Sequence, residues 1–171
     1  MANSTYLDVV NGIPTQKTAL DTSVGAASAG EIPRLDGTGK LDGTMMPTGI
    51  GAEIKSIVTA EDVSAGDLLQ VFDDGGTTKV RKADATAGNK FVASGFVLQG
   101  YVAPAPADVY FEGIITGLTG LTAGSTVYLD TTAGSVNASP PSGGGDIVQR
   151  VGIAVSATEV TFEPAQPITL A

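Results

Sequence analysis

From Glu53 to the C-terminus, short runs of β-branched and aromatic residues are cut by turn-forming residues at intervals too close for helices. The clearest case is AGDLLQVFDDGGTTKVRKAD, residues 65–84, which reads as a hairpin: Leu68 to Phe72 run out, Asp73-Asp74-Gly75-Gly76 turn, and Thr78 to Lys82 return. Asp-Gly and Gly-Gly supply the positive φ that a tight hairpin needs. Lys79, Arg81 and Lys82 fall on the return strand, where the expectation is a solvated face opposite acidic neighbours. Ahead of the hairpin, Ile54 to Thr59 reads as a strand with apolar character on both faces. Behind it, FVASGFVLQGYV (residues 91–102) reads as a strand pair or one long bent strand, with Gly95 and Gly100 as bulges and Pro104 and Pro106 as breaks. Further strands are expected over residues 108–115, 126–129 and 135–138, then a last hairpin over 146–164 turning near Ser156 to Thr158. About eight short strands separated by turns point to a small β-barrel or β-sandwich.

Composition agrees. Glycine is abundant, at 23 of 171 residues, only 16% of residues are charged, and the composition is poor in the Glu, Lys, Gln and Leu that favour helices while β-branched residues and turn formers dominate, which moves the expectation to all-β. Eight of the nine aromatic residues lie between Phe72 and Phe162, so the core belongs to the C-terminal two-thirds. Between Thr15 and Ile50 there are eight large apolar residues in 36, none aromatic, too few to fold that stretch alone. The reading is an extended, largely non-regular N-terminal arm over residues 1–52 and an all-β domain over residues 53–171.

Cysteine, histidine and tryptophan are absent. That excludes disulfides, a thiolate nucleophile and a Cys/His zinc site. A serine nucleophile would need a lysine or terminal-amine base, and Ser23, Ser94 and Ser142 lie in no context that offers one. No enzymatic activity and no cofactor are expected. A net charge of -9 with scattered basic residues is unsuited to neutralising phosphates, so nucleic acid is not an expected partner. There is no run of about 18 apolar residues, and MANSTYLDVVNG lacks the basic and apolar regions of a signal peptide, so neither a membrane nor a secretory route is expected.

Residues 34–51, RLDGTGKLDGTMMPTGIG, say one thing twice: Leu35-Asp36-Gly37-Thr38 returns as Leu41-Asp42-Gly43-Thr44. As a calcium loop counted from Asp36, positions 3, 5 and 12 would be Thr38, Lys40 and Pro47, and the lysine and missing glutamate argue against that reading. The Asp-Gly pairs are turn formers that keep the stretch out of regular structure. Threaded through it at nearly regular spacing are Leu35, Leu41, Met45, Met46 and Ile50, with Pro47 redirecting the chain. These six are the candidate contact residues for a partner's surface. Thirty-six extended residues would reach on the order of 100 Å.

Two blocks carry a family resemblance. IPRLDGTGKLDGTMMP (residues 32–47) resembles the short linkers ahead of the first β domain in tailed-phage fibre proteins. GLTGLTAGSTVYLDTTAGSVNASPPSGGGDIVQRVGIAVSATEVTFEP (residues 117–164) resembles a β-rich module of phage head-decoration (cement) proteins and of head and tail fibres. The resemblance implies a non-enzymatic virion protein, typically a homotrimer, made in the bacterial cytoplasm and bound to the major capsid protein on the outside of the head. The short chain, with no repetitive shaft or large distal tip, favours cement. The alternative is a short head or tail fibre or adaptor that meets a receptor glycan. In that case the loops at 103–107 and 139–145 would be distal, and Tyr101 or Tyr110 would be available to stack a sugar.

Overall fold

The computed structural model describes residues 5–37, 39–46 and 53–171. The chain divides into two compact units, Met1–Gly51 and Ala52–Ala171.

In the first unit, β1 (Thr5–Val10) and β2 (Ile13–Thr18) form an antiparallel ribbon closed by Val10 opposite Ile13. Asn11 and Gly12 between them have φ of 54° and 81°, the double positive φ of the tightest hairpin turns. The ribbon adds regular structure to a stretch expected to be largely non-regular. After it the chain doubles back: Leu20 bridges Pro33, with Leu20 N–H donating to the Ile32 carbonyl and Arg34 N–H donating to the Leu20 carbonyl, both at 2.9 Å. Short 3-10 turns span Gly25–Ser28 and Gly43–Met45. Ala19 is the one buried hydrophobic residue among the described residues of this unit.

The second unit is all-β. Its first half is a closed barrel of five strands: β3 (Ile54–Thr59), β4 (Leu68–Asp74), β5 (Thr77–Lys82), β6 (Gly95–Phe96) and β7 (Pro106–Tyr110), in the order β3-β5-β4-β6-β7 with β7 returning to β3. The β3–β5 pair is parallel and the rest antiparallel. Closure abolishes sheet edges, which lets so small a sheet stand alone. The hairpin read from residues 65–84 is β4 and β5, turning at Gly75-Gly76 with φ of 62° and 90°. Inside lie Ile57, Val63, Leu69, Val80, Val97, Ala107 and Val109. Gly95 belongs to the wall because a Cβ there would stand 2.7 Å from Val109 Cγ1 and 3.0 Å from the Tyr110 carbonyl.

Shorter strands follow: β8 (Gly113–Ile115), β9 (Thr126–Leu129), β10 (Val136–Asn137), β11 (Ile147–Val148), β12 (Arg150–Ile153), β13 (Val160–Phe162) and β14 (Ile168–Thr169). They pair as β10-β9-β12, β13-β8 and β11-β14. A second core joins them to the outside of the barrel: Leu68 and Phe96 from the barrel wall meet Ile115, Leu129, Val151 and Phe162. Phe96 anchors it, with ring centroids 5.4 Å from Tyr110 and 5.2 Å from Phe162.

Four strand expectations are adjusted by this structure. The hairpin expected over residues 146–164 is joined only by a single bridge of Ala154 to Val160, because β12 pairs with β9 and β13 with β8. Residues 91–102 contain only the two-residue β6 plus single bridges of Phe91 to Asp84 and Tyr101 to Val63: Ala93, Gly95, Phe96 and Val97 are buried while Gln99, Gly100 and Val102 are exposed, so the run weaves between segments and does not lie along one sheet. Residues 108–115 break at Phe111-Glu112 into β7 and β8. Pro106 opens β7 at its first position, where a missing N–H is tolerated.

Candidate interaction surface

The doubled turn does two different jobs. In the first copy Asp36 closes a small loop: its N–H donates to the Lys40 carbonyl at 2.8 Å and its Oδ1 accepts from Lys40 N–H at 3.0 Å. In the second, Asp42 caps the Gly43–Met45 turn, its Oδ1 accepting from Thr44 N–H at 2.9 Å and from Thr44 Oγ1 at 2.6 Å. Those two bonds, the hydroxyl's first, hold the Asp42 carboxyl below the usual range. Thr44 Oγ1 also accepts from Ser23 N–H at 2.8 Å, tying the second turn to the loop at 23–28.

This arrangement turns three of the four described contact candidates outward. Leu35, Leu41 and Met46 are 57%, 45% and 42% exposed. Met45 differs: it is half-buried and lines a depression of about 160 Å³ with Leu20, Ser28, Glu31 and Pro33. Pro47 and Ile50 lie outside the described residues.

Sequence reasoning missed a second apolar surface on the same unit. Strand alternation puts Tyr6, Asp8, Val10, Ile13, Thr15 and Lys17 on one face of the β1–β2 ribbon and Thr5, Leu7, Val9, Pro14, Gln16 and Thr18 on the other. The first face is pinned to Glu31, which accepts from the Tyr6 hydroxyl at 2.6 Å and from Lys17 Nζ at 2.9 Å; Lys17 also pairs with Asp8 at 3.1 Å. The Tyr6 and Lys17 bonds lower the Glu31 pKa, and the Glu31 and Asp8 bonds raise that of Lys17. Within the described part of this unit nothing covers the other face, where Leu7 is 75% and Val9 68% exposed. Asn11-Gly12 between two β-branched runs was the signal that would have found this ribbon.

The second unit keeps its polar groups occupied. Lys79 pairs with Asp74 at 2.7 Å and Lys82 with Asp67 at 3.2 Å, while the Arg81 guanidinium lies 4.3 Å from the Phe72 ring centroid and 3.4 Å from that of Phe91. Arg81 is therefore stacked between aromatic rings, not solvated as its charge run suggested. Tyr110 stacks on Phe96, and Tyr101 packs against the barrel core and accepts from Asp108 N–H at 3.1 Å. A cleft of about 230 Å³ is lined by Gly66, Asp67, Gly117, Leu118 and Gly134, but its carboxylate is already held by Lys82 and by Ser64 N–H at 2.8 Å. Among the described residues there is no cluster of three or more groups able to hold a metal ion, and no helix long and apolar enough to cross a membrane. No family model matches the chain, and no curated protein matches it.

Chemically, then, the surface best suited to meeting a partner is the apolar exterior of the first unit.

Proposed function

We propose that this chain is a structural protein of a tailed-phage virion: a capsid decoration protein, assembled as a homotrimer, that binds the outside of the icosahedral head. The C-terminal unit is its stable body. The N-terminal unit docks on the major capsid protein and ties neighbouring capsomers together.

The observation that carries this reading is the distribution of exposed apolar side chains. Nine large ones lie on the described part of the first unit, Leu7, Val9, Val10, Ile13, Val24, Ile32, Leu35, Leu41 and Met46, against a single buried Ala19. The second unit, more than twice as long, exposes seven and has three buried clusters. A segment that keeps its apolar residues outside gains its burial energy on a partner, at roughly 1.5–3 kcal/mol for each fully buried Leu, Ile or Met. Repeated three times in one trimer, modest anchors become strong through effective concentration. The resemblance of residues 32–47 and 117–164 to virion proteins names the partner as capsid.

The test uses phage heads stripped of the protein. Full-length chain is expected to re-decorate them and to raise their resistance to heat and low salt. Residues 52–171 alone, which hold their own cores, are expected to stay folded and fail to bind. Full occupancy by the truncated chain would sink the docking role of the first unit. Virions lacking the protein that keep robust heads but adsorb poorly would point to the fibre role instead.

A further inference from the structure

Arg81 is the odd cation of this chain. Among the described residues six basic side chains are half-buried, and five of them have a carboxylate: Lys17 has Asp8 and Glu31, Arg34 has Asp21, Lys79 has Asp74, Lys82 has Asp67 and Arg150 has Glu163. Arg81 has none, in a chain where acidic residues outnumber basic ones 18 to 9. A charge partly withdrawn from water is ordinarily held by an opposite one.

Its place on the barrel wall shows what holds it instead. Val80 points into the barrel core, so alternation puts Arg81 and Lys79 on the outer face of β5. Opposite Arg81 on β4 is Gln70, whose Oε1 accepts from Arg81 Nε at 2.8 Å. The Phe72 and Phe91 rings lie over the guanidinium, which they stabilise as a cation without pairing its N–H groups. Among the described residues every buried side-chain nitrogen and oxygen has a hydrogen-bond partner. The two Nη atoms of Arg81 have none from the protein, so they reach the surface. The faces and Nε of the guanidinium are engaged; its outer edge is not.

That edge is a pair of N–H donors fixed in one plane, the complement of the two oxygens of a carboxylate. The rings and Gln70 have already ordered the side chain, so binding costs little further entropy. A phosphate offers the same pair of oxygens with more negative charge, and a chain of -9 repels it more strongly. Lys79, the neighbouring cation on the same face, is neutralised by Asp74 at 2.7 Å. One positive charge is therefore left for the ligand, which suits a single carboxylate.

The surroundings decide what carries that carboxylate. Neither cleft described above includes Arg81. The site is a sheet face, with Phe72 opposite Lys79 on one side and Val58, 37% exposed, beside Lys79 on the other. A free small carboxylate would meet the fork alone, whereas an acidic side chain on a protein surface also covers these apolar neighbours. Arginine beside aromatic residues is the composition of interface hot spots. The ring faces are turned to the guanidinium, which leaves less for a sugar to stack on.

We propose that Arg81 is the docking point for one acidic side chain, Asp or Glu, of a partner protein, taken end-on by its two Nη groups. This contact belongs to the second unit alone and goes beyond the decoration reading, which assigns docking to the first.

The experiment follows Arg81 Nε–H and the amides of Gln70 and Phe91 by NMR in the isotope-labelled full-length protein at neutral pH. Sodium acetate is titrated against sodium chloride at constant ionic strength, followed by acetyl-Ala-Glu-Ala-amide, its Gln counterpart, inorganic phosphate and the methyl glycoside of N-acetylneuraminic acid. Acetate is expected to give a saturable shift that chloride does not, the Glu peptide the same shift at lower concentration, and the Gln peptide none. Arg81→Met keeps apolar length against the rings without charge, and Arg81→Lys keeps charge without the paired edge; both are expected to lose the response. The native titration needs no variant, so a variant that fails to fold leaves the test standing. A native chain with no saturable response to acetate or to the Glu peptide overturns the inference, as does a response that survives in Arg81→Lys. Tighter binding of phosphate than of the Glu peptide would make the site a general anion site, and tighter binding of the glycoside would make it a glycan site; either result overturns the protein partner.

Discussion

Gln149 binds the backbone of Ala93 as a neighbouring strand would: its Oε1 accepts from Ala93 N–H at 2.8 Å and its Nε2 donates to the Ala93 carbonyl at 3.0 Å. Nε2 also donates to the Ala165 carbonyl at 3.2 Å. The side chain sits between β11 and β12 and is buried, so one amide holds together the approach to β6 and the segment after β13.

Removing it should cost more than an ordinary hydrogen bond. Gln149→Leu fills the space but strands buried backbone groups, at about 1–3 kcal/mol for each left unsatisfied. Gln149→Glu keeps the acceptor and turns a carboxylate toward two carbonyls. Burial there raises the glutamate pKa above its unfolded value, so its fold is expected to regain stability as pH falls, when the acid can donate again. Urea midpoints of both variants at pH 7 and pH 4 check this: the leucine form should show no such recovery relative to the native chain.

Two glycines offer opposite expectations. A Cβ on Gly152 would fall inside the Thr161 carbonyl of β13, at the point where β12 shifts its register against β9. Gly152→Ala is expected to destabilise by more than about 4 kcal/mol, the range reserved for severe backbone or core disruption. Gly88 has open space and no left-handed backbone, so Gly88→Ala should be neutral or stabilising by up to about 1 kcal/mol. Thermal unfolding of the pair distinguishes steric need from mere turn composition.

How much of this was legible beforehand depends on the distance between partners. Leu68 to Lys82 alternates and turns within one stretch, and the hairpin followed from it. The ribbon at residues 5–18 is equally local, its turn signalled by Asn11-Gly12 between two β-branched runs. Barrel closure, by contrast, rests on Ile54 to Val58 pairing with Pro106 to Tyr110 and on Val58 lying parallel to Lys79, contacts that no local pattern encodes. The single-bridge weave of residues 91–102 was hidden because burial there comes as a block, Gly95 to Val97, ahead of the exposed Gln99 and Gly100, and follows no strand period. At the candidate surface, spacing alone placed Leu35, Leu41 and Met46 outward, but the turn capped by Asp42 sends Met45 inward, a reversal that apolar counting misses.

The outward residues should separate binding from folding. Changing Leu35, Leu41 and Met46 together to serine removes exposed groups, so stability is expected to move by no more than about 0.5 kcal/mol per site. If they are capsid anchors, affinity for stripped heads falls at least about tenfold, since about 1.4 kcal/mol suffices for that and full burial of one anchor exceeds it. Unchanged head binding would remove these residues from the docking surface.

Asp84 supplies a pH dependence. Burial on its own raises the carboxyl, but hydrogen bonds from Thr86 N–H at 2.8 Å and from Asn89 Nδ2 at 2.6 Å outweigh it, and the net shift is downward. A carboxyl lowered on folding contributes stability that is present above its unfolded pKa of about 3.9 and lost as pH falls through the lower folded value. The stability gap between the native chain and Asp84→Asn should therefore be widest near neutrality and shrink below about pH 4. Urea midpoints across that range read it directly, and a gap independent of pH would assign the asparagine's effect to packing alone.

Leu68 and Leu69 test the two-core architecture. They are adjacent on β4 and both wholly buried, yet alternation sends Leu69 into the barrel and Leu68 into the core shared with Ile115, Leu129 and Phe162. Each change to alanine is expected to cost about 2–5 kcal/mol. Neighbours in one packed core ordinarily couple, because each cavity relaxes into the other, whereas residues with no shared partners add to within about 0.5 kcal/mol. With the barrel wall between them, these two should add. To keep the double variant folded enough to measure, the cycle can use Leu68→Val and Leu69→Val, which remove less volume. A coupling energy above about 1 kcal/mol would mean that the wall transmits strain and that the two clusters behave as one core.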